Sequence, residues 1–302
     1  MGISGKYIFL FLDGVGLGDR TPNNPLAQGA CTPFLRELLG SPLLAGCEVY
    51  RPHLLLKPID ATLGVPGLPQ SATGQTALYT GRNAPQFRGC HQTGFANGSL
   101  RILIEESGLF KQVLALDGTA THANLYSPAY FDAIAQRRLR YSVGTLLTLT
   151  ANLPFRMQAE YARREAIYWD ITGELVHHRG IDAPPITPQE AGRRLAALGS
   201  RYTVTLFECY LPDFAGHNQD MNHAVKILQR IDTFLESVVS HLSVDVTLIL
   251  SSDHGNVEDL SSKRHTLNPA PLLAVGPHAG FFQSVEDITG ITPKIVELIN
   301  DQ

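Results

Sequence analysis

The sequence predicts an α/β fold: a doubly wound, mostly parallel sheet with helices on both faces and a small inserted cap. Three observations predict it. Short, β-rich apolar runs recur along the chain, helical segments with legible ends alternate with them, and an aspartate follows closely on three of the runs.

The runs are YIFLFL at 7–12, KQVLALD at 111–117, YTVTLFECY at 202–210, VDVTLILS at 244–251 and PLLAVG at 271–276. Each reads as a buried parallel strand. Among the helical segments, Thr32 and Pro33 mark a start and Gly40 a stop. Ser71 opens SATGQTALYT, which Gly81 terminates. From 217 to 242, Met221, Ala224, Val225, Leu228, Ile231, Leu235, Val238 and Leu242 recur at the spacing of one long amphipathic helix. Thr292 and Pro293 open the last helix. Between about 126 and 200 the strand runs give out, and Arg replaces Lys throughout. The clearest element there starts at Thr187, where Pro188 and Glu190 complete a capping-box pattern. The expected organisation is a core made of 1–125 and 201–302, interrupted by an inserted cap at 126–200.

A chain of 302 residues, 44% hydrophobic and 17% charged, can bury such a core without staples. Its net charge of -4 argues against a stable nucleic-acid partner or an anionic membrane surface. Cys31, Cys47, Cys90 and Cys209 lack CxxC spacing and read as free thiols of a reducing compartment. The run ending at Leu12 is too short for a signal segment or a membrane span. A soluble, cytoplasmic protein is expected.

The chemistry is carried by seven residues scattered along the chain. Asp13 lies in FLDGVG, Ser71 in PQSATGQ, Asp213 and His217 in PDFAGHNQD, Asp253 and His254 in SSDHGN, and His265 in KRHTLNPAP. Asp13, Asp213 and Asp253 each come just after a predicted strand. In open α/β sheets ligands bind outside the carboxyl ends of the strands, so the three acids should converge on one edge. Three carboxylates, three histidines and a hydroxyl form a donor set suited to two divalent transition metals, Mn²⁺ or Zn²⁺. Asp213 and His217 stand one helical turn apart, Gly255 permits a tight turn after Asp253 and His254, and the prolines after His265 favour an extended backbone.

Ser71 at a helix N-terminus has its hydroxyl where an incoming phosphate is favoured. Thr73 is a rival hydroxyl, two residues on and expected to face elsewhere. Weaker candidates for contacts to a small phosphorylated substrate are Asn83, His91 and the cap residues Arg137, Arg138 and Arg140.

Together these motifs resemble the alkaline phosphatase superfamily of metalloenzymes, and most of all its branch of cofactor-independent phosphoglycerate mutases and phosphopentomutases. The resemblance implies an alkaline phosphatase-like core. It implies that Asp13, Ser71, Asp253 and His254 hold one metal and Asp213, His217 and His265 the other, with Ser71 as nucleophile. The chain departs from the mutases in carrying Gln75 where they typically have His, in lacking their Arg-rich substrate segments, and in being shorter. It also lacks the Cys/Ser-x-Pro-x-Arg of sulfatases. The reading that follows is a two-metal phosphohydrolase of phosphate mono- or diesters working through a phosphoserine. A phosphomutase comes next, and a non-catalytic, metal-stabilised binding protein last.

Overall fold

Strand β1 (Lys6–Leu12) runs through the middle of a sheet completed by β2 (Val49–Arg51), β3 (Leu54–Ile59), β4 (Ala120–His122), β5 (Val204–Cys209), β6 (Val246–Ser251) and β7 (Ala270–Val275). The structure is a computed structural model describing residues 5–29, 31–175, 181 and 183–301. Spatial order is β2-β3-β7-β6-β1-β5-β4. Alternation along β1 explains its central place. Ile8, Leu10 and Leu12 enter one apolar layer, and Tyr7, Phe9 and Phe11 enter the other. Burying each such side chain stabilises the fold by roughly 1.5–3 kcal/mol, so a strand without a polar face belongs inside.

β6, β1, β5 and β4 are parallel neighbours, whereas β7 pairs antiparallel with both β6 and β3, and β2 antiparallel with β3. The parallel orientation expected of 271–276 is therefore corrected. The run at 111–117 is corrected too: Leu109–Ala115 is a helix, whose Leu109, Phe110 and Val113 are buried on one face.

The helices are α1 (Pro33–Leu39), α2 (Ser71–Thr80), α3 (Ala84–Arg88), α4 (Gly98–Ser107), α5 (Leu109–Ala115), α6 (Pro128–Ala135), α7 (Val143–Thr150), α8 (Gln158–Ala162), α9 (Pro188–Gly199), α10 (Leu211–Asn218), α11 (Met221–Ser240) and α12 (Ile291–Asn300). Apolar residues of α1, α9 and α11 cover one face of the sheet, and those of α2, α4, α5, α7 and α12 the other. The result is a three-layer α/β/α sandwich. The long helix expected from 217 is two helices, because Gln219 adopts a left-handed conformation (φ 56°) and Asp220 caps α11 afresh. Thr32 makes no side-chain cap bond. Instead Asp232 of α11 accepts from the backbone N–H of Phe34 and Leu35, at 2.8 and 2.9 Å.

Within 126–200, α7 and α9 pack into the two main layers. A separate small cluster joins Leu125, Tyr161, Ala166, Tyr168, Ile181 and Ala183. Residues 176–180 and 182 lie outside the described residues. Among the described residues no helix is long and apolar enough to cross a membrane.

Candidate metal centre

Because β6, β1 and β5 are adjacent and parallel, their carboxyl ends meet at one edge, and each delivers an aspartate there. Asp13 follows β1 and is tied to β5 by its backbone N–H, which donates to the Cys209 carbonyl at 3.0 Å. Asp253 follows β6 and Asp213 sits in the first turn of α10, just after β5. His265 reaches the same edge for the opposite reason. It precedes an antiparallel strand, and the start of β7 lies beside the end of β6. A parallel β7 would have sent His265 to the far side of the sheet.

Two triads result. Asp13, Asp253 and His254 are buried, and Asp213, His217 and His265 lie nearer the surface, the donor atoms of each triad within 4.8 Å of one another. His254 Nε2 lies 3.4 Å from Asp13 Oδ1 and 3.5 Å from Asp253 Oδ2. His217 Nε2 is 3.2 Å from Asp213 Oδ2, and His265 Nε2 is 3.7 Å from Asp213 Oδ1. The triads are contiguous: the rings of His254 and His265 stack with centroids 3.7 Å apart. Ser71, the first residue of α2, places its Oγ 3.0 Å from His254 Nε2.

Close packing makes this possible. Gly14 has φ +71°, and a Cβ there would meet Asp213 Oδ1 at 2.8 Å. A Cβ on Gly74 would lie 2.8 Å from that of Asp253, so only glycine lets α2 approach β6 this closely. Gly255 serves differently from the tight turn expected. It forms an antiparallel bridge with Thr266, accepting its N–H at 2.9 Å, and thereby draws in the segment that carries His265.

The donor set fits divalent cations. His217 Nδ1 is 2.8 Å from the Lys263 carbonyl and His265 Nδ1 2.8 Å from the Pro69 carbonyl, which leaves both Nε2 lone pairs for a ligand. Burial, with His265 and His217 nearby, holds the His254 imidazole well below the usual histidine range and so neutral. Burial, together with the Asp253 and Asp213 carboxylates, pushes the Asp13 carboxyl far up, and burial with Asp213 does the same to Asp253. Among the described residues, the buried Asp13 Oδ1 has no hydrogen-bond partner. Crowded carboxylates facing imidazole nitrogens are what bound cations would relieve.

Thr73 is no rival to Ser71. Its hydroxyl donates to the Gln70 carbonyl and accepts from Gln92 N–H. Asn83 caps α3, accepting from Gln86 N–H while donating to the Leu63 carbonyl. His91 lines a cavity of about 420 Å³ with His217, His265, Lys263 and Arg264. Arg140 lines a second cavity, whereas Arg137 and Arg138 are exposed and line neither.

Sequence reasoning missed three supporting residues. Gln75 Nε2 donates to Asp253 Oδ2 at 3.2 Å, and Asn256 Nδ2 to Asp213 Oδ1 at 2.6 Å. The buried Glu258 carboxylate accepts from Gly16 N–H, Asn256 N–H and Asn268 Nδ2 at 2.9, 2.8 and 3.0 Å, and from the Thr266 hydroxyl. The last two follow the DHG motif directly, and their nearness to it was the available signal.

Comparison with known proteins agrees with this geometry. Residues 188–301 match the model of the metalloenzyme superfamily. This part of the chain is a metalloenzyme-superfamily domain. Membership implies divalent metal ions. The 2,3-bisphosphoglycerate-independent phosphoglycerate mutase of Ruegeria pomeroyi is 28% identical over 120 residues, covering 37% of this chain and 24% of the mutase. That of Nitrosococcus oceani is 31% identical over 108 residues, 33% of this chain and 21% of the mutase. The match thus spans under a quarter of either relative. Solved structures share the fold along the whole chain. A Pyrococcus horikoshii protein superposes with TM-score 0.60 at 14% identity, covering 100% of this chain and 98% of its own. The alkaline phosphatase of the Antarctic bacterium TAB5 follows with 0.56 at 14%, covering 98% of each. Leishmania mexicana phosphoglycerate mutase gives 0.52 at 12%, covering 98% of this chain and 95% of that one. The α/β fold with a central sheet and helices on both faces is therefore the one predicted, and these structures share it.

Proposed function

We propose that the enzyme passes a phosphoryl group through Ser71 and returns it to an alcohol, as a phosphomutase does. The observation that carries the Ser71 reading is the placement of its hydroxyl at the N-terminus of α2, 3.0 Å from His254 Nε2 and beside both triads. Asp13, Ser71, Asp253 and His254 would hold one divalent ion, Mn²⁺ or Zn²⁺, and Asp213, His217 and His265 the other. When bound, such ions supply Lewis-acid charge that eases ionisation of a hydroxyl and offsets charge on phosphoryl oxygens.

Ser71 Oγ attacks phosphorus as its proton departs. The bond from phosphorus to the leaving oxygen breaks, and that oxygen takes up a proton. In the second half an acceptor hydroxyl gives up its proton as its oxygen bonds to phosphorus, the phosphoseryl P–O bond breaks and Ser71 regains a proton. Gln70 places no side-chain cap on α2, so the positive end of the helix dipole faces the incoming phosphoryl group. The Ala72 N–H is already engaged by the Gln92 carbonyl at 3.1 Å, and the binding effect therefore rests on the dipole more than on every first-turn donor.

The mutase reading is supported by the curated relatives of 188–301, which are phosphoglycerate mutases. The hydrolase reading, first from sequence alone, is favoured by one observation. His217 is 45% exposed at the mouth of the 420 Å³ cavity, where water has access. Turnover in ¹⁸O-labelled water by Mn²⁺- or Zn²⁺-loaded protein, over a panel of sugar phosphates and phosphoglycerates, separates them. A mutase yields a rearranged ester free of ¹⁸O, and a hydrolase yields phosphate carrying one. No transfer from any ester with either metal would overturn both.

A further inference from the structure

The metal centre stands between two cavities of opposite character. The first, described above, is polar and basic. The second, about 250 Å³, is walled by Phe95, Tyr126, Tyr130, Trp169, Tyr210 and Phe214, the tryptophan being the only one in the chain. Two segments wall both cavities. On α10, Phe214 faces the aromatic cavity while His217, one turn on, faces the polar one, and Asp213 lies beside Phe214. In the loop after α3, Phe95 lines the aromatic cavity while His91 and Thr93 line the polar one. A substrate whose phosphate rests at the triads therefore has the aromatic cavity within reach of its alcohol part.

The chemistry of the wall selects what fits. Three tyrosine hydroxyls of the wall are engaged within it. Those of Tyr126 and Tyr130 lie 3.0 and 3.1 Å from Thr145 Oγ1, and that of Tyr210 donates to Glu208 Oε2 at 2.6 Å. What these residues offer a ligand is ring surface rather than free hydroxyls. Trp169 stacks on Phe214 with centroids 5.5 Å apart and lies 6.0 Å from the ring of Tyr210. Phe214 is 53% exposed, a large apolar ring left to solvent beside a metal-ligand candidate. Among the described residues Arg140 is the one Lys or Arg of this lining and the Glu208 carboxylate lines it too, which is little net positive charge for a small, densely anionic acid. The volume suits a single ring system rather than a larger ligand.

We propose that this cavity binds a planar aromatic ring on the alcohol part of the substrate, so that the preferred substrates are phosphate esters of aryl- or heteroaryl-bearing alcohols. Rings gain from offset and edge contacts with aromatic walls beyond the area they bury. The proposal rests on the phosphoryl-transfer reading above and adds to it the class of alcohol.

The test compares 2-phenylethyl phosphate with ethyl phosphate, both esters of primary alcohols, on the Mn²⁺-loaded 302-residue protein. It measures transfer of the phosphoryl group to Ser71, the half-reaction that needs no acceptor alcohol, and follows Trp169 fluorescence on titration with each. Expected are a preference of tenfold or more for the phenylethyl ester in the second-order rate of that transfer, saturable quenching by that ester alone, and at least a fivefold loss of both preferences in Phe214→Ala. The exposure of Phe214 makes that variant a safe one for folding. Transfer from either ester without preference, or from other phosphates only and without quenching, overturns the aromatic site while the phosphoryl-transfer reading survives. Saturable quenching that Phe214→Ala weakens, with no transfer from any ester, upholds the site and removes the phosphoryl-transfer reading instead.

Discussion

Asn256 Nδ2 donates to Asp213 Oδ1 at 2.6 Å, and this bond helps to join the loop after β6 to the helix after β5. It fixes the rotamer of the carboxylate that faces both His217 and His265. Hydrogen bonds to ligands from outside the donor set commonly tune affinity by 10–100-fold. In Asn256→Ala a Mn²⁺ titration should therefore show the weaker of two binding steps falling by about that factor, with the stronger step little changed. Two steps matching those of the unaltered protein would remove Asn256 from the account.

Glu258 holds three ligand-bearing loops at once, through Gly16, Asn256 and the Thr266–Asn268 segment. Glu258→Gln keeps the shape but turns an amide toward groups that themselves donate. The loss should be about 2–3 kcal/mol, the cost of buried donors without an acceptor. Urea unfolding of the metal-free protein measures it, and a midpoint within error of the unaltered chain would show the network to be dispensable.

The convergence of the three aspartates was legible because it depends only on strand ends. An aspartate after Leu12, after Cys209 and after Ser251 reaches the same edge whatever surrounds it. Strand direction was not legible, since the PLLAVG run is buried in the same way beside a parallel or an antiparallel neighbour. KQVLALD misled for a related reason. Seven residues with apolar positions satisfy either period, and the preceding Leu109 and Phe110, buried with Val113, decide for a helix. β3 escaped notice because LLLKPI contains Lys57 and Pro58. Lys57 is buried, with Nζ reaching the Gln283 carbonyl and Glu286 at 3.0 and 3.2 Å, and Pro58 lies beyond the reach of β2, where one side of the strand needs no donor. The hydrogen bonds from Gln75 and Asn256 depend on side-chain rotamers, which no spacing rule encodes.

Glu208, buried in β5, predicts a specific acid sensitivity. Burial pushes its carboxyl up, but His122 and the Tyr210 and Tyr79 hydroxyls outweigh burial and hold it below the usual glutamate range. Tyr210 and Tyr79 donate at 2.6 and 2.8 Å, and His122 Nε2 lies 3.4 Å away. A depressed folded-state value means that this stabilisation is present above the ordinary glutamate range and is lost as pH falls through the lowered value. Thermal melts should therefore show the unaltered protein losing stability in acid faster than Glu208→Gln, which starts lower at neutral pH and declines less. Parallel acid limbs for the two proteins would contradict this.

In the proposed reaction Ser71 carries the phosphoryl group beside two candidate metal triads. The most direct measurement is to mix Mn²⁺-loaded protein with ³²P-labelled 4-nitrophenyl phosphate, quench in acid and map the label by peptide sequencing. Phosphate on Ser71 is expected. Ser71→Ala should keep most of its metal, since Asp13, Asp253 and His254 remain, yet lose turnover by several orders of magnitude, on the order of other nucleophile deletions. Label on Thr73, or full turnover by Ser71→Ala, would overturn the role of Ser71.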